Sequence, residues 1–494
     1  MIQNLHPIMF VGTGSDVGKS ILATAFCRIF RQDGYRPAPF KAQNMALNSY
    51  VTSDGLEMGR AQAVQAEAAG IPCHTDMNPL LLKPQSNHTS QVILLGKPIG
   101  NKDACDYFKK EGRETLRKEV HAAFDRLQVK YNPIVMEGAG SVSELNLRDV
   151  DLVNMPMARY ANADVFLVAD IDRGGVFAST YGSIALQTPE DRQRIKGVII
   201  NKFRGDLRLF EEGRRMLEDI CGVPVLGVVP HYKGIHIDEE DSVALKVKET
   251  GIREGDDVIE VAVVLLRHLS NFTDFNALEQ DSRIHLFYTN NPDELSRADI
   301  IILPGSKATI DDLVELRRNG CAVAIQRARR DGATVFGICG GYQMMGVEVC
   351  DPMGLEGEIR RMPGLGLLPV MTTITREKTT RQVKFNGGMT GYEIHQGETS
   401  PIEGNEEHPL VTFEDGRTDG YKVDEHCMGT YVHGILDNPD FVDSLLLPLA
   451  GKIEKRKGSF DYHTFKERQY DMLADHVRRY VDIDRIYKIL QSND

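Results

Sequence analysis

A cysteine set among glycines at the end of an apolar run, Val335-Phe336-Gly337-Ile338-Cys339-Gly340-Gly341-Tyr342-Gln343, is the arrangement a nucleophile requires. The run predicts a buried strand ending in a sharp turn. The glycines admit backbone angles closed to other residues and let a substrate carbonyl approach the N–H groups that would hold its oxyanion. Gly337-x-Cys339-Gly340-Gly341 has the form of a nucleophile elbow with cysteine where serine is more usual. A buried structural cysteine is the ordinary alternative. Far downstream, however, Gly429-Thr430-Tyr431-Val432-His433-Gly434 can bring an imidazole to the thiol. Pro304-Gly305-Ser306 ends another apolar run and can add an oxyanion N–H beside that of Gly340.

A second chemistry stands at the other end of the chain. Ile8-Met9-Phe10-Val11 leads into Gly12-Thr13-Gly14-Ser15-Asp16-Val17-Gly18-Lys19-Ser20, after which Ile21, Leu22, Ala25, Phe26, Ile29 and Phe30 recur at helical spacing. Strand, glycine loop and helix in that order form a phosphate cradle. Loop N–H groups and the helix N-terminus meet the phosphates of ATP, Lys19 reaches the β- and γ-phosphates, and Ser20 can hold Mg²⁺. The first glycine stands at Gly12, one residue earlier than the strict motif. Glu137, at the end of the run Ile134-Val135-Met136, can serve Mg²⁺ directly or through water, with a helix-terminal charge as the competing role. Asn201 follows the run Val198-Ile199-Ile200, where an asparagine can read an adenine edge or cap a turn.

These pieces must be positioned by strands. Short apolar runs at Ile8–Val11, Ile134–Met136, Val165–Ala169, Val198–Ile200 and Val225–Val229, separated by helical or polar spans, predict a mostly parallel α/β sheet. A second such pattern, with strands at Val261–Leu266, Ile300–Leu303 and Thr334–Ile338, begins after the polar stretch Pro230–Asp257. Past Gly366 the expectation is several short β pieces, and Leu473, Val477, Tyr480 and Val481 predict a packing helix near the end. The division expected is a nucleotide domain over 1–232, a linker over 233–257, a Cys/His domain over 258–445 and a helical packing segment over 446–494.

Composition sets the bounds. At 494 residues, with 41% hydrophobic and 26% charged residues, the chain is too long for one core and too apolar for extensive disorder. Eight scattered cysteines with no C-x-x-C pair favour neither a disulfide framework nor a structural zinc. No apolar run reaches membrane-spanning length and no basic-then-apolar leader opens the chain, so a cytoplasmic protein without membrane insertion is expected. A net charge of −13 disfavours nucleic acid as a partner. Oligomeric state leaves no trace in the sequence.

A phosphate-cradle half joined to a Cys/His half implies glutamine-dependent amidation, and the chain also resembles the cobyric acid synthase family of cobalamin-pathway amidotransferases. The resemblance spans nearly the whole chain. It rests on Gly12–Ser20 together with Phe40-Lys41-Ala42-Gln43-Asn44-Met45-Ala46-Leu47-Asn48-Ser49, Glu57-Met58-Gly59-Arg60-Ala61-Gln62-Ala63, Glu137-Gly138-Ala139-Gly140-Ser141, Asp170–Phe177 and Gly391-Tyr392-Glu393-Ile394-His395. It implies an α/β fold with a P-loop NTPase-like parallel-sheet domain of the dethiobiotin synthetase type. A class I glutamine amidotransferase domain with a flavodoxin-like core would follow. It further implies ATP, Mg²⁺ and glutamine as reactants and four amidations of a corrinoid, at the b, d, e and g side chains of adenosylcobyrinic acid a,c-diamide. Asn44, Asn48 and Arg60 lie in stretches that could line an open corrinoid site, with turn and helix-surface roles as alternatives. Ammonia would have to pass between the two sites by a sequestered path.

One position departs from the wider class. Ile435 stands where a glutamate usually follows the histidine, so the third member of the Cys/His site is missing or supplied elsewhere, and Glu393 is a candidate. Rival readings are the sibling amidotransferase acting on the a and c carboxylates, a partner-binding P-loop ATPase, and a cysteine hydrolase with an inert P-loop domain. The second would not need Cys339 and His433.

Overall fold

The computed structural model describes residues 3–84, 89–103, 113–238, 251, 258–453 and 459–492. Most of the expected linker, 239–250 and 252–257, lies outside the described residues, as does Cys105. The chain forms two compact units. One comprises Met1–Ala46, Leu56–Asp238 and Phe465–Asp494, the other Leu47–Gly55 and Glu239–Thr464.

In the first unit a six-stranded sheet is built from β1 (Ile8–Gly12), β2 (Ala38–Phe40), β3 (Ile134–Glu137), β4 (Asp164–Asp170), β5 (Ile195–Phe203) and β6 (Val225–Pro230). Its spatial order is β6-β5-β4-β1-β3-β2 and every pairing is parallel. β1, β3 and β4 are buried along their whole length, because helices cover both faces of a parallel sheet. The sequence therefore shows them as unbroken apolar runs. β2 escapes that signal, being three residues at the sheet edge with Pro39 at its centre. A separate four-stranded sheet (Gln43–Met45, Leu80–Pro84, Thr89–Leu94 and Lys97–Asp103) was likewise not foreseen.

The helix α1 (Lys19–Gln32) follows the glycine loop with ten buried residues, and α2 (Arg60–Ala69) begins directly after the strand Glu57–Gly59. The expected packing helix is present as Tyr462–Tyr480 and is followed by Ile483–Gln491. Leu473, Ala474, Val477 and Leu490 share one core with Phe26, Ile29 and Phe30 of α1. Arg28 of α1 donates to Asp471 (2.7 Å) and Glu467 (2.9 Å). The expected segment 446–494 is thus divided, its residues to Thr464 going with the second unit and the rest with the first.

In the second unit a six-stranded sheet holds β7 (Ile259–Val264), β8 (Ile284–Thr289), β9 (Ile300–Leu303), β10 (Thr334–Ile338), β11 (Tyr421–Asp424) and β12 (Cys427–Thr430). The order is β8-β7-β9-β10-β12-β11, parallel throughout except for the antiparallel β11 edge. After Gly366 one long antiparallel hairpin, Val370–Phe385 against Met389–Pro401, precedes the short strands expected there, among them β11, β12 and Val432–His433. Its length was hidden because both strands are largely polar and only intermittently buried. The second of them pairs Tyr392 with His433, so the hairpin reaches the histidine foreseen downstream.

Candidate active site

In the second unit Cys339 sits between β10 and the helix Gly340–Met345, at φ 53° and ψ −112°. A non-glycine residue holds such angles only where its surroundings over-determine them, a condition concentrated at active sites. Its N–H donates to Thr430 O (2.8 Å), which ties the elbow to the end of β12. The loop after β9 closes in from one side. A Cβ placed on Gly340 would lie 2.8 Å from Ser306 N, and one on Gly305 would lie 3.3 Å from His433 Cε1. The Gly305-Ser306 loop is therefore held against Gly340 and His433. Asp312 fastens this loop by accepting from Ser306 Oγ (2.6 Å), and it also lies 2.9 Å from His268 Nδ1.

His433 is fully buried and is oriented by Asp274, whose Oδ2 lies 2.7 Å from Nδ1, while Asp274 Oδ1 accepts from Gly434 N (3.0 Å). Burial alone would lower the imidazole pKa. The Asp274 carboxylate and the neighbouring Cys339 side chain override it and raise the pKa to about 10. At neutral pH the imidazole is therefore held protonated beside Cys339, a neighbour that favours the nucleophilic form of a cysteine. Tyr392 stacks on the ring at 5.3 Å.

Asp274 supplies the third group that Ile435 does not. Glu393, the candidate from sequence, is occupied elsewhere. It pairs with Arg381 and lies 3.7 Å from His395, which itself stacks on Tyr431. Asp274 belongs to the loop following β7, on the same carboxyl edge of the sheet as Cys339 and Gly305. That placement was the one signal able to find it. Gln343, also missed, is wired to Thr309 Oγ1, Gln396 O and Tyr431 OH, which locks the helix carrying the elbow.

The first unit assembles the phosphate cradle at the carboxyl edge of its own sheet. Lys19 Nζ donates to Gly14 O (2.9 Å) and Gly140 O (3.0 Å), so the ammonium bridges the loop and the turn after β3. Glu137 is the hub. It accepts from Ser20 Oγ (2.8 Å), Lys41 Nζ (2.8 Å) and Gln65 Nε2 (2.7 Å). Burial would raise its pKa, but Lys41 and the hydrogen bonds from Lys41, Gln65 and Ser20 outweigh it and hold the carboxyl below its ordinary value. Gly18 has φ 103°, and a Cβ there would meet Asn201 Nδ2 at 2.0 Å. Asn201 donates that nitrogen to Val17 O (2.9 Å), so its amide supports the loop. Gly12 is equally confined, its Cβ position lying 2.9 Å from Lys19 Nζ. Thr13, Gly14 and Ser15 line a cavity of about 420 Å³ together with Gly140, Ser141 and Arg159.

The three residues expected to line an open corrinoid site are all buried. Asn44 is buried against Gln62 (3.2 Å) and Arg60 is buried in an ion pair with Asp238 (2.8 Å), both in the first unit, while Asn48 is buried in the second. Among the described residues no group of three or more His, Cys, Asp or Glu side chains could by itself hold a metal, and no helix is long and apolar enough to cross a membrane.

Comparison with known proteins matches both units. Residues 8–243 fit the CobQ/CobB/MinD/ParA nucleotide binding domain, and residues 260–441 fit the CobB/CobQ-like glutamine amidotransferase domain. The cobyric acid synthase of Bacteroides fragilis is 68% identical with 100% of each chain covered, and that of Phocaeicola vulgatus 67%, again with 100% of each. That of Syntrophobacter fumaroxidans is 48% identical over 99% of each chain. A phosphate cradle and a Cys/His/Asp site on one chain, matched from end to end by such relatives, leave one assignment: the chain belongs to the cobyric acid synthase family, glutamine-dependent amidating ligases of cobalamin biosynthesis.

Proposed function

We propose that the chain amidates the b, d, e and g side-chain carboxylates of adenosylcobyrinic acid a,c-diamide, using ATP and the amide nitrogen of glutamine. The observation that carries the reading is the pairing, on one chain, of a Cys339–His433–Asp274 site with a lysine-bearing phosphate cradle closed on Glu137. The Cys339 thiolate attacks the glutamine side-chain carbonyl carbon. The backbone N–H groups of Gly340 and of the Gly305-Ser306 loop hold the oxyanion, and His433 delivers its proton to the departing nitrogen. Ammonia leaves, and water, giving a proton to His433, hydrolyses the glutamyl thioester to glutamate.

At the cradle a corrinoid carboxylate attacks the γ-phosphorus of ATP, forming an acyl phosphate and releasing ADP, while Lys19 bears the charge that develops on the phosphoryl oxygens. Ammonia then displaces phosphate and leaves the amide. Ser20 Oγ and Glu137 are adjacent hard oxygen donors that fit Mg²⁺, an ion that takes few protein ligands beside phosphate and water. Bound there, it would neutralise charge on the β- and γ-phosphates. A cytoplasmic location accords with these reactants.

The test is mass spectrometry of the full-length protein incubated with MgATP, glutamine and adenosylcobyrinic acid a,c-diamide. Four successive acid-to-amide conversions are expected. Conversion only of substrates that still carry free a and c carboxylates would overturn the assignment in favour of the sibling enzyme.

A further inference from the structure

Leu47–Gly55 lies in the chain between the strands Gln43–Met45 and Glu57–Gly59 of the nucleotide-binding unit, yet it folds as part of the glutaminase unit. Its contacts there converge on His433. The backbone N–H of Ser49 donates to Asn271 Oδ1 (3.3 Å), and the amide nitrogen of Asn271 faces both ring nitrogens of His433 at 3.5 and 3.4 Å. The Tyr50 ring lies 5.5 Å from Tyr392, the ring stacked on the His433 imidazole. Val51 is fully buried in one apolar cluster with Tyr392 and Ile394. Gln382 clamps the segment, donating to Val51 O (2.9 Å) and Tyr50 OH (3.1 Å). Asn271 itself holds φ 53°, a conformation a non-glycine residue keeps only when its neighbours enforce it.

We infer that Asn271 is a positioning residue for His433, and that the Leu47–Gly55 segment, by gripping Asn271 and Tyr392, makes glutamine hydrolysis respond to nucleotide bound in the first unit. This rests on the amidotransferase reading. The covalent route is short. The segment runs on through Glu57–Gly59 into α2, whose Gln65 donates to Glu137, the carboxylate that also receives Ser20 and Lys41 of the cradle. Nucleotide that binds more tightly to one arrangement of α2 shifts the segment by that difference in affinity and no more. Coupling between two sites typically changes affinity by about 5- to 150-fold. The segment thus gives a chain that would otherwise waste glutamine a means of hydrolysing it when ATP is present.

The experiment compares glutamate release by full-length protein with and without MgATP, in wild type and in Gln382→Ala, which loosens the segment without touching Cys339 or His433. Wild type should show a clear rise with MgATP. Gln382→Ala should keep the nucleotide-free rate within about twofold while the rise collapses toward none. In Asn271→Gly, a residue at ease with φ 53°, kcat for glutamine should fall with KM retained and the acid limb of the pH profile should move. Because the chain contains no tryptophan, Tyr50→Trp gives a single reporter whose emission should change on adding MgATP without glutamine. A wild-type rate indifferent to MgATP would overturn the inference. So would an undiminished rise in Gln382→Ala, an unmoved pH profile in Asn271→Gly, or a silent reporter. Failure of the underlying reading has a separate signature: no amidation of the corrinoid even with ammonium supplied, a result that leaves all four of these measurements readable.

Discussion

At the scale of single residues, the decisive group is Asp274. Its carboxylate fixes which nitrogen of His433 faces Cys339 and stabilises the imidazolium, so Asp274→Asn should lower kcat/KM for glutamine by roughly 10²- to 10⁴-fold, as loss of an orienting carboxylate does in hydrolase triads. Activity supported by ammonium should be unaffected. The same pair has a stability signature. The pKa of His433 in the fold, about 10, lies above its unfolded value of 6.5, so the contribution is complete below pH 6.5 and drains as pH rises through about 10. Urea unfolding of wild type and Asp274→Asn should therefore differ most at or below pH 6.5 and converge toward pH 10. Cys339 and His433 were legible in sequence because glycines flank each of them. Asp274 was not, since an aspartate in a loop between aromatic residues has many ordinary uses and its partner lies 159 positions away.

At the scale of elements, the core strands of both sheets were legible where burial on two faces leaves an unbroken apolar run, as in β1, β4 and β10. The edge strands β2, β8 and β11, the long polar hairpin and the assignment of the last helices to the first unit were not, because pairing partners and contacts distant in the chain decide them. Two substitutions test what these elements do. Gly340→Ala would place a Cβ 2.8 Å from Ser306 N, forcing apart the two donors of the oxyanion site. Glutamine turnover should drop roughly 10²- to 10³-fold, with the thermal unfolding profile little changed. Leu490, fully buried in the core shared with α1, should on Leu490→Ala destabilise the first unit by about 2–5 kcal/mol, read by urea unfolding followed through loss of nucleotide binding.

At the scale of the whole molecule, the chain divides one reaction between two units that each carry a complete set of reactive groups. Glutamine chemistry needs Cys339, His433 and Asp274. Phosphoryl transfer, on the proposed reading, uses Lys19, Ser20 and Glu137 of the other unit. The defects of the two halves should therefore separate when ammonia is supplied from outside. Cys339→Ala removes the nucleophile and should abolish amidation with glutamine. Ammonium salts should restore amidation as pH rises, because only the unprotonated amine attacks an acyl phosphate. Lys19→Ala removes the cation that bridges Gly14 O and Gly140 O and stabilises the transferring phosphoryl group, so neither nitrogen source should restore amidation, while glutamate release without nucleotide should persist. Amide formation and glutamate release, measured in parallel for the two variants, distinguish this arrangement from a cysteine hydrolase with an inert P-loop domain. In that case Lys19→Ala would behave as wild type and ammonium would rescue nothing.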